Sequence, residues 1–193
     1  HDLGTLGGAR SQAYSISNNR GIVGWSETAA GQPHAMFVVV DAAGNVVSRT
    51  DLGVLTGGFS YAYGLNNSGQ VVGTSGSRAC LWAGGGVTDL NTLLPAGSNW
   101  VLERAWAISD TGMIVGTGRH YGQPHGFVLA PSCYANCDAS SLPPILNIND
   151  FTCFMNRYAA GDAYANCDAS TAAPVLNVND FTCFLNKFAA GCN

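Results

Sequence analysis

The residues best suited to chemistry lie in the last third of the chain. Asn136, Asp138 and Ser140 alternate, and Asn147 and Asp150 follow. Asn166, Asp168, Ser170, Asn177 and Asp180 repeat this set with a period of thirty. Calcium loops place hard oxygen ligands at alternate early positions, with the ninth and twelfth completing the shell. Calcium is therefore the cofactor this pattern suggests. The same residue types also cap helices and form turns, so ligation and capping alone both stand as readings.

Cysteines are interleaved with these oxygens. Six of the seven fall between 133 and 192: Cys133, Cys137, Cys153, Cys167, Cys183 and Cys192. The tail has no His and no CxxC pair, so disulfides are favoured over zinc. Disulfides place the chain in an oxidising, extracytoplasmic compartment. Cys137 and Cys153 have Cys167 and Cys183 as their copies, so symmetry suggests the pairs 137–153 and 167–183. Cys133 and Cys192 have no counterparts and flank the module, which suggests a clasp between them. Cys80, within Ala79-Cys80-Leu81-Trp82, is expected to be a buried small residue.

The elements that position these groups follow from periodicity. Phe151, Phe154, Met155 and Tyr158 recur at helical spacing, as do Phe181, Phe184, Leu185 and Phe188. Asn149-Asp150 and Asn179-Asp180 are expected to start the two helices. Gly161 and Gly191 are expected to end them. Two such helices, face to face, make a small aromatic core.

The first two-thirds of the chain repeats differently. One unit opens at Asp2-Leu3-Gly4-Thr5-Leu6-Gly7-Gly8, Asp51-Leu52-Gly53-Val54-Leu55-Thr56-Gly57-Gly58 and Asp89-Leu90-Asn91-Thr92-Leu93-Leu94. A second box runs from Ala13-Tyr14-Ser15-Ile16 to Ile22-Val23-Gly24, from Ala62-Tyr63-Gly64-Leu65 to Val71-Val72-Gly73, and from Ala105-Trp106-Ala107-Ile108 to Ile114-Val115-Gly116. A third is His34-Ala35-Met36-Phe37, Ala79-Cys80-Leu81-Trp82 and His125-Gly126-Phe127-Val128. Short apolar runs around Asn66-Asn67-Ser68-Gly69 and Ser109-Asp110-Thr111-Gly112 read as strands joined by tight turns. In the first copy, Asn18-Asn19-Arg20-Gly21 carries its glycine one position later. Each unit is expected to hold about four antiparallel strands, the content of a propeller blade. The domains expected are 1–131, mainly β, and 132–193, small and helical, joined at Pro131-Ser132.

Residues 1–130 resemble the HAF-type extracellular repeats, on the DLGTLGG-like opening, the NxxGxVVG-like box and, more loosely, His34-Ala35-Met36-Phe37 and His125-Gly126-Phe127. Ala79-Cys80-Leu81 departs from the signature. That resemblance implies a secreted, β-propeller-like array of blades. Three units are fewer than the ~4 blades of a closed propeller, so we expect a partial array whose natural N-terminus is missing. Residues 133–192 resemble a dockerin, on the duplicated loop-and-helix pattern. This implies calcium in the loops and a cohesin-like or other cell-surface protein as partner. The loops depart from the family. Asn136 to Asp150 spans fourteen positions, where a standard loop spans about eleven. Residues around Ser141-Leu142-Pro143 must loop out, and the turn glycine is absent. Two formal charges per loop imply weak binding, toward ~10⁻⁴–10⁻³ M.

Bulk composition excludes other classes. Charged residues are 10% of 193, with a net charge of −4. There is no basic patch, so nucleic acid is not an expected partner. No apolar run reaches the ~20 residues of a membrane span. No catalytic residues are assigned: Glu27 and Glu103 are isolated, and Gly24-Trp25-Ser26 is not a nucleophile elbow. His34 and His125 sit at equivalent repeat positions and are expected to bond between strands. Asp2, Asp51 and Asp89 are expected to satisfy turn amides. Trp25, Trp82, Trp100 and Trp106 are expected in the blade core rather than on a sugar platform, with Trp25 and Trp100 the less settled and carbohydrate kept as a possible ligand. The function expected is that of a secreted, non-enzymatic binding or scaffold protein anchored by its tail. The alternative is a fragment of a dockerin-bearing carbohydrate-active enzyme whose catalytic residues lie outside this chain.

Overall fold

The computed structural model describes residues 1–55, 58–131, 135–138, 146–168, 170–171 and 173–191. The chain divides into two compact units, His1–Ala130 and Pro131–Asn193. The first is mainly β and the second carries two short helices. No helix among the described residues is long and apolar enough to cross a membrane.

The first unit contains three antiparallel meanders. The first sheet is β1 (Gly7–Ile16), β2 (Gly21–Thr28), β3 (Pro33–Val40) and β4 (Val46–Asp51). The second is β5 (Ser60–Leu65), β6 (Val71–Ser75), β7 (Arg78–Ala83) and β8 (Gly86–Asp89). The third is β9 (Trp100–Ile108), β10 (Ile114–His120) and β11 (Gln123–Leu129). The third sheet thus has three described strands rather than the four expected. After Leu129 the sequence turns to Ala130-Pro131 and supplies no β-branched run like Val46-Val47. The sequence repeat is also offset from the sheets. Asp51 and Asp89 end the last strand of one sheet, and the Leu-Gly or Leu-Asn that follows crosses to the next.

The recurring boxes have direct physical roles. The opening aspartates accept turn amides, as expected: Gly4 N, Gly53 N and Asn91 N donate to Asp2, Asp51 and Asp89 at 2.8, 2.8 and 2.9 Å. The middle box forms one five-residue turn three times. Arg20 N, Gly69 N and Gly112 N donate to Ser17 O, Asn66 O and Ser109 O. Gly69 and Gly112 have φ of 77° and 80°, and Arg20 takes the same position at 63°. The first copy therefore keeps the turn with a side chain in a region that favours glycine.

Adjacent turns are linked. Asn18 N donates to Asn67 Oδ1 at 2.9 Å, and Asn67 N and Nδ2 donate to the Asp110 carboxylate at 2.9 and 2.8 Å. Apolar layers fill the space between sheets. Val23, Ala35, Ala62, Leu65, Val71, Cys80 and Trp82 form one, and Val72, Ala79, Leu90, Leu102, Ala105 and Ile114 form the other. Cys80 is fully buried, and burial pushes its thiol pKa up to about 12, which removes it as a nucleophile.

The histidines part company. His34 Nδ1 lies 2.8 Å from Asp51 Oδ2, and Arg78 pairs with Asp89 at 3.0 Å in the next repeat. His125 occupies the matching register, opposite Gly118 as His34 is opposite Ser26. Its described neighbours are instead the Trp100 and His120 rings, at 6.2 and 6.1 Å. Asp51 belongs to a fourth strand, and among the described residues the third sheet has none. Trp82 is core, as expected. Trp106 is not: it is 42% exposed.

Candidate functional site

In the second unit, α1 (Ile148–Ala159) and α2 (Val178–Ala190) form the scaffold. Their caps lie two residues earlier than expected. Asn147 and Asn177 are the N-caps, and each accepts the amide of Asn149 or Asn179 at 2.8 or 2.9 Å. Asp150 and Asp180, three residues in, reach back to the amides of Asn147 and Asn177, both at 2.8 Å. This reciprocal capping box satisfies two orphan donors at each helix start. Gly161 and Gly191, with φ of 71° and 79°, end the helices as expected.

The helix faces meet through stacked rings. Phe154 and Phe184 are both fully buried, with centroids 4.1 Å apart and planes 13° apart. Phe151 meets Phe181 edge-on at 5.9 Å. Met155 and Leu185, expected on this face, are instead 38% and 39% exposed. They fall on the side of each helix that also carries Ile148 and Val178, which are 73% and 70% exposed.

Two disulfides staple the loops to the helices. Cys137 bonds Cys153 and Cys167 bonds Cys183, the pairs symmetry suggests, with Cα separations of 5.7 and 5.8 Å. Cys133 and Cys192 lie outside the described residues, as do Ser140 and the looped-out segment around Leu142.

The oxygen-bearing residues of the second loop draw together. Asn166 Oδ1 and Asp168 Oδ1 both accept the Ser170 amide, at 3.0 and 2.9 Å. Asp168 N donates to Asp180 Oδ1 at 3.3 Å. Hydrogen bonds from Ser170 hold the Asp168 carboxyl below its ordinary pKa. Asp180 is fully buried. Asn166, Asp168, Ser170 and Asp180 are thus linked through backbone amides, while Asn177 serves the helix cap. In the first loop, Asp138 N donates to Asp150 Oδ1 at 3.2 Å. Asn136 is half-buried beside it in sequence, and Asn147 caps α1. Asp150 and Asp180 thus act as capping carboxylates as well as candidate ligands, and both starting readings use the same atoms.

Comparison with family models, with curated proteins and with solved structures finds no match to this chain.

Proposed function

We propose that this is a secreted, non-enzymatic binding protein whose C-terminal unit is a dockerin-like attachment module. One observation carries the reading. Ile148 and Met155 on α1, and Val178 and Leu185 on α2, present apolar side chains to solvent at equivalent positions of a duplicated sequence. An amphipathic helix with a second, exposed apolar stripe suits a groove on a protein partner. The inward stripe is already occupied by Phe154 and Phe184, so the outward one is left for another surface.

Calcium has a place in this proposal. It would sit among Asn166, Asp168, Ser170 and Asp180, and in the first loop among Asn136, Asp138, Ser140 and Asp150. It would fix each loop against its helix. The disulfides favour an extracellular location. The repeat array, in this reading, is a scaffold of propeller-like blades that presents a binding surface. Within it Glu27 pairs with Arg10, and Glu103 with Arg119 at 3.0 Å.

The test is retention of the full chain on an immobilised cohesin domain. Retention in calcium that is lost in chelator supports both parts of the reading. Retention unaffected by chelator removes calcium from it, and no retention removes a cohesin-like partner.

A further inference from the structure

The three sheets share a defect that does not serve their cores. Pairing of β1 with β2 jumps between Ala13 and Ser15, leaving Tyr14 as an extra residue. The same jump in β5 leaves Tyr63, between Ala62 and Gly64. In β9 it leaves Trp106, between Ala105 and Ala107. A bulge re-aims the side chain of its extra residue. Here three bulges aim three aromatic rings onto one surface, where they touch in series. Tyr14 lies 5.5 Å from Tyr63, and Tyr63 lies 4.6 Å from Trp106.

A second row runs beside the first. Trp25 meets Tyr61 at 5.7 Å, and Tyr61 stacks on Tyr63 at 6.4 Å with planes 4° apart. None of these rings belongs to the described apolar cores between the sheets. Tyr14 and Trp106 are 44% and 42% exposed. The platform leads into a cleft of about 700 Å³. One wall of the cleft is Phe59, Tyr61 and Tyr63, and the other carries Glu103, Arg104 and Arg119.

We propose that this aromatic platform and its cleft bind a polysaccharide chain. Sugar rings present apolar C–H faces and a rim of hydroxyl donors and acceptors. The platform offers the complement of both. Ring faces alternate with polar edges: Gln12 Oε1 accepts from Tyr14 Oη and Trp25 Nε1, both at 3.3 Å. Thr117 Oγ1 accepts from Trp106 Nε1 at 3.2 Å. Glu103 and the two arginines line the far wall with both acceptors and donors. A lipid or another apolar ligand would strip water from these charges without replacing their bonds. Nucleic acid is disfavoured by a chain of net charge −4. A proline-rich peptide would use the rings, but its prolines have no N–H to offer Glu103. Arg104 forms no ion pair among the described residues, so a uronate carboxylate is an acceptable partner beside neutral sugars.

The experiment is affinity electrophoresis of the full chain in native gels containing hydroxyethylcellulose, xylan or polygalacturonate, with tryptophan fluorescence as a second readout. Retardation by at least one polymer is expected, with fluorescence quenched by its oligosaccharide. Trp106→Ala and Tyr14→Ala are expected to weaken that binding about thirtyfold, the loss of a single interface hot spot. Tyr14→Phe is expected to retain most of it. Both alanine variants alter exposed residues, and an unchanged melting temperature shows that they fold. The proposal is overturned by retardation and quenching in none of the three polymers, by equal retardation of the folded alanine variants, or by quenching with a polyproline peptide alone. The attachment reading is independent of all these outcomes.

Discussion

Removing the Cys167–Cys183 bridge is the most informative perturbation of the tail, because both described α-helices lie in that unit. Each bridge closes sixteen residues of sequence separation. Restricting the unfolded chain over such a loop contributes about 3 kcal/mol. A unit of this size has a total stability of roughly 3–9 kcal/mol. Cys167→Ser with Cys183→Ser should therefore remove a third or more of the unit's stability, and the equivalent change at Cys137 and Cys153 should cost a similar amount. Both α-helices belong to the second unit, so urea unfolding followed by circular dichroism at 222 nm isolates the effect. The stacked Phe154–Phe184 pair should persist until that transition. A loss below about 1 kcal/mol in both variants would refute the reasoning, since loop closure alone predicts three times as much.

Other predictions concern the repeat array. Arg20→Gly should raise its stability by about 1 kcal/mol in urea unfolding, because a non-glycine residue at φ of 63° carries a strain that glycine lacks. Gly73→Ala should destabilise the array by about 2 kcal/mol or more, measured the same way, because a Cβ there overlaps the Tyr61 carbonyl beside the bulge. Acid should weaken the array. Hydrogen bonds from Asn67 hold the Asp110 carboxyl below its ordinary value. A depressed folded pKa stabilises above the unfolded value and is lost as pH falls through the folded one. The urea midpoint should therefore drop below about pH 4, and Asp110→Asn should reduce that dependence.

Much of this was legible in the residues. Helical spacing of the tail phenylalanines gave both helices and their shared core, and thirty-residue symmetry gave the pairs Cys137–Cys153 and Cys167–Cys183. Asp2, Asp51 and Asp89 announced their turn bonds by recurring. Cap positions were misread because Asn147 and Asn149 are chemically alike, and only the return contact from Asp150 distinguishes them. Trp106 was read as core because alternation assumes an unbroken strand, and a bulge at that residue moves it to the other face. A signal was available: Gly24, Gly73 and Gly116 each follow a β-branched residue in every repeat, and each has no room for a Cβ. Glycine within a strand marks a close backbone approach or a bulge. That the third sheet has three strands among the described residues, and with it the different fate of His125, follows from sequence beyond the repeat rather than within it.

Direct binding of the full chain to an immobilised cohesin domain in calcium, compared with an Ile148→Asp, Val178→Asp double variant, tests the attachment claim most directly. Ile148 and Val178 are the most exposed of the four stripe residues, so the variant should keep its helical signal and its melting temperature. The account predicts that it loses binding by a hundredfold or more, on the order of 1.4 kcal/mol for each tenfold. Undiminished binding by the folded double variant would contradict it.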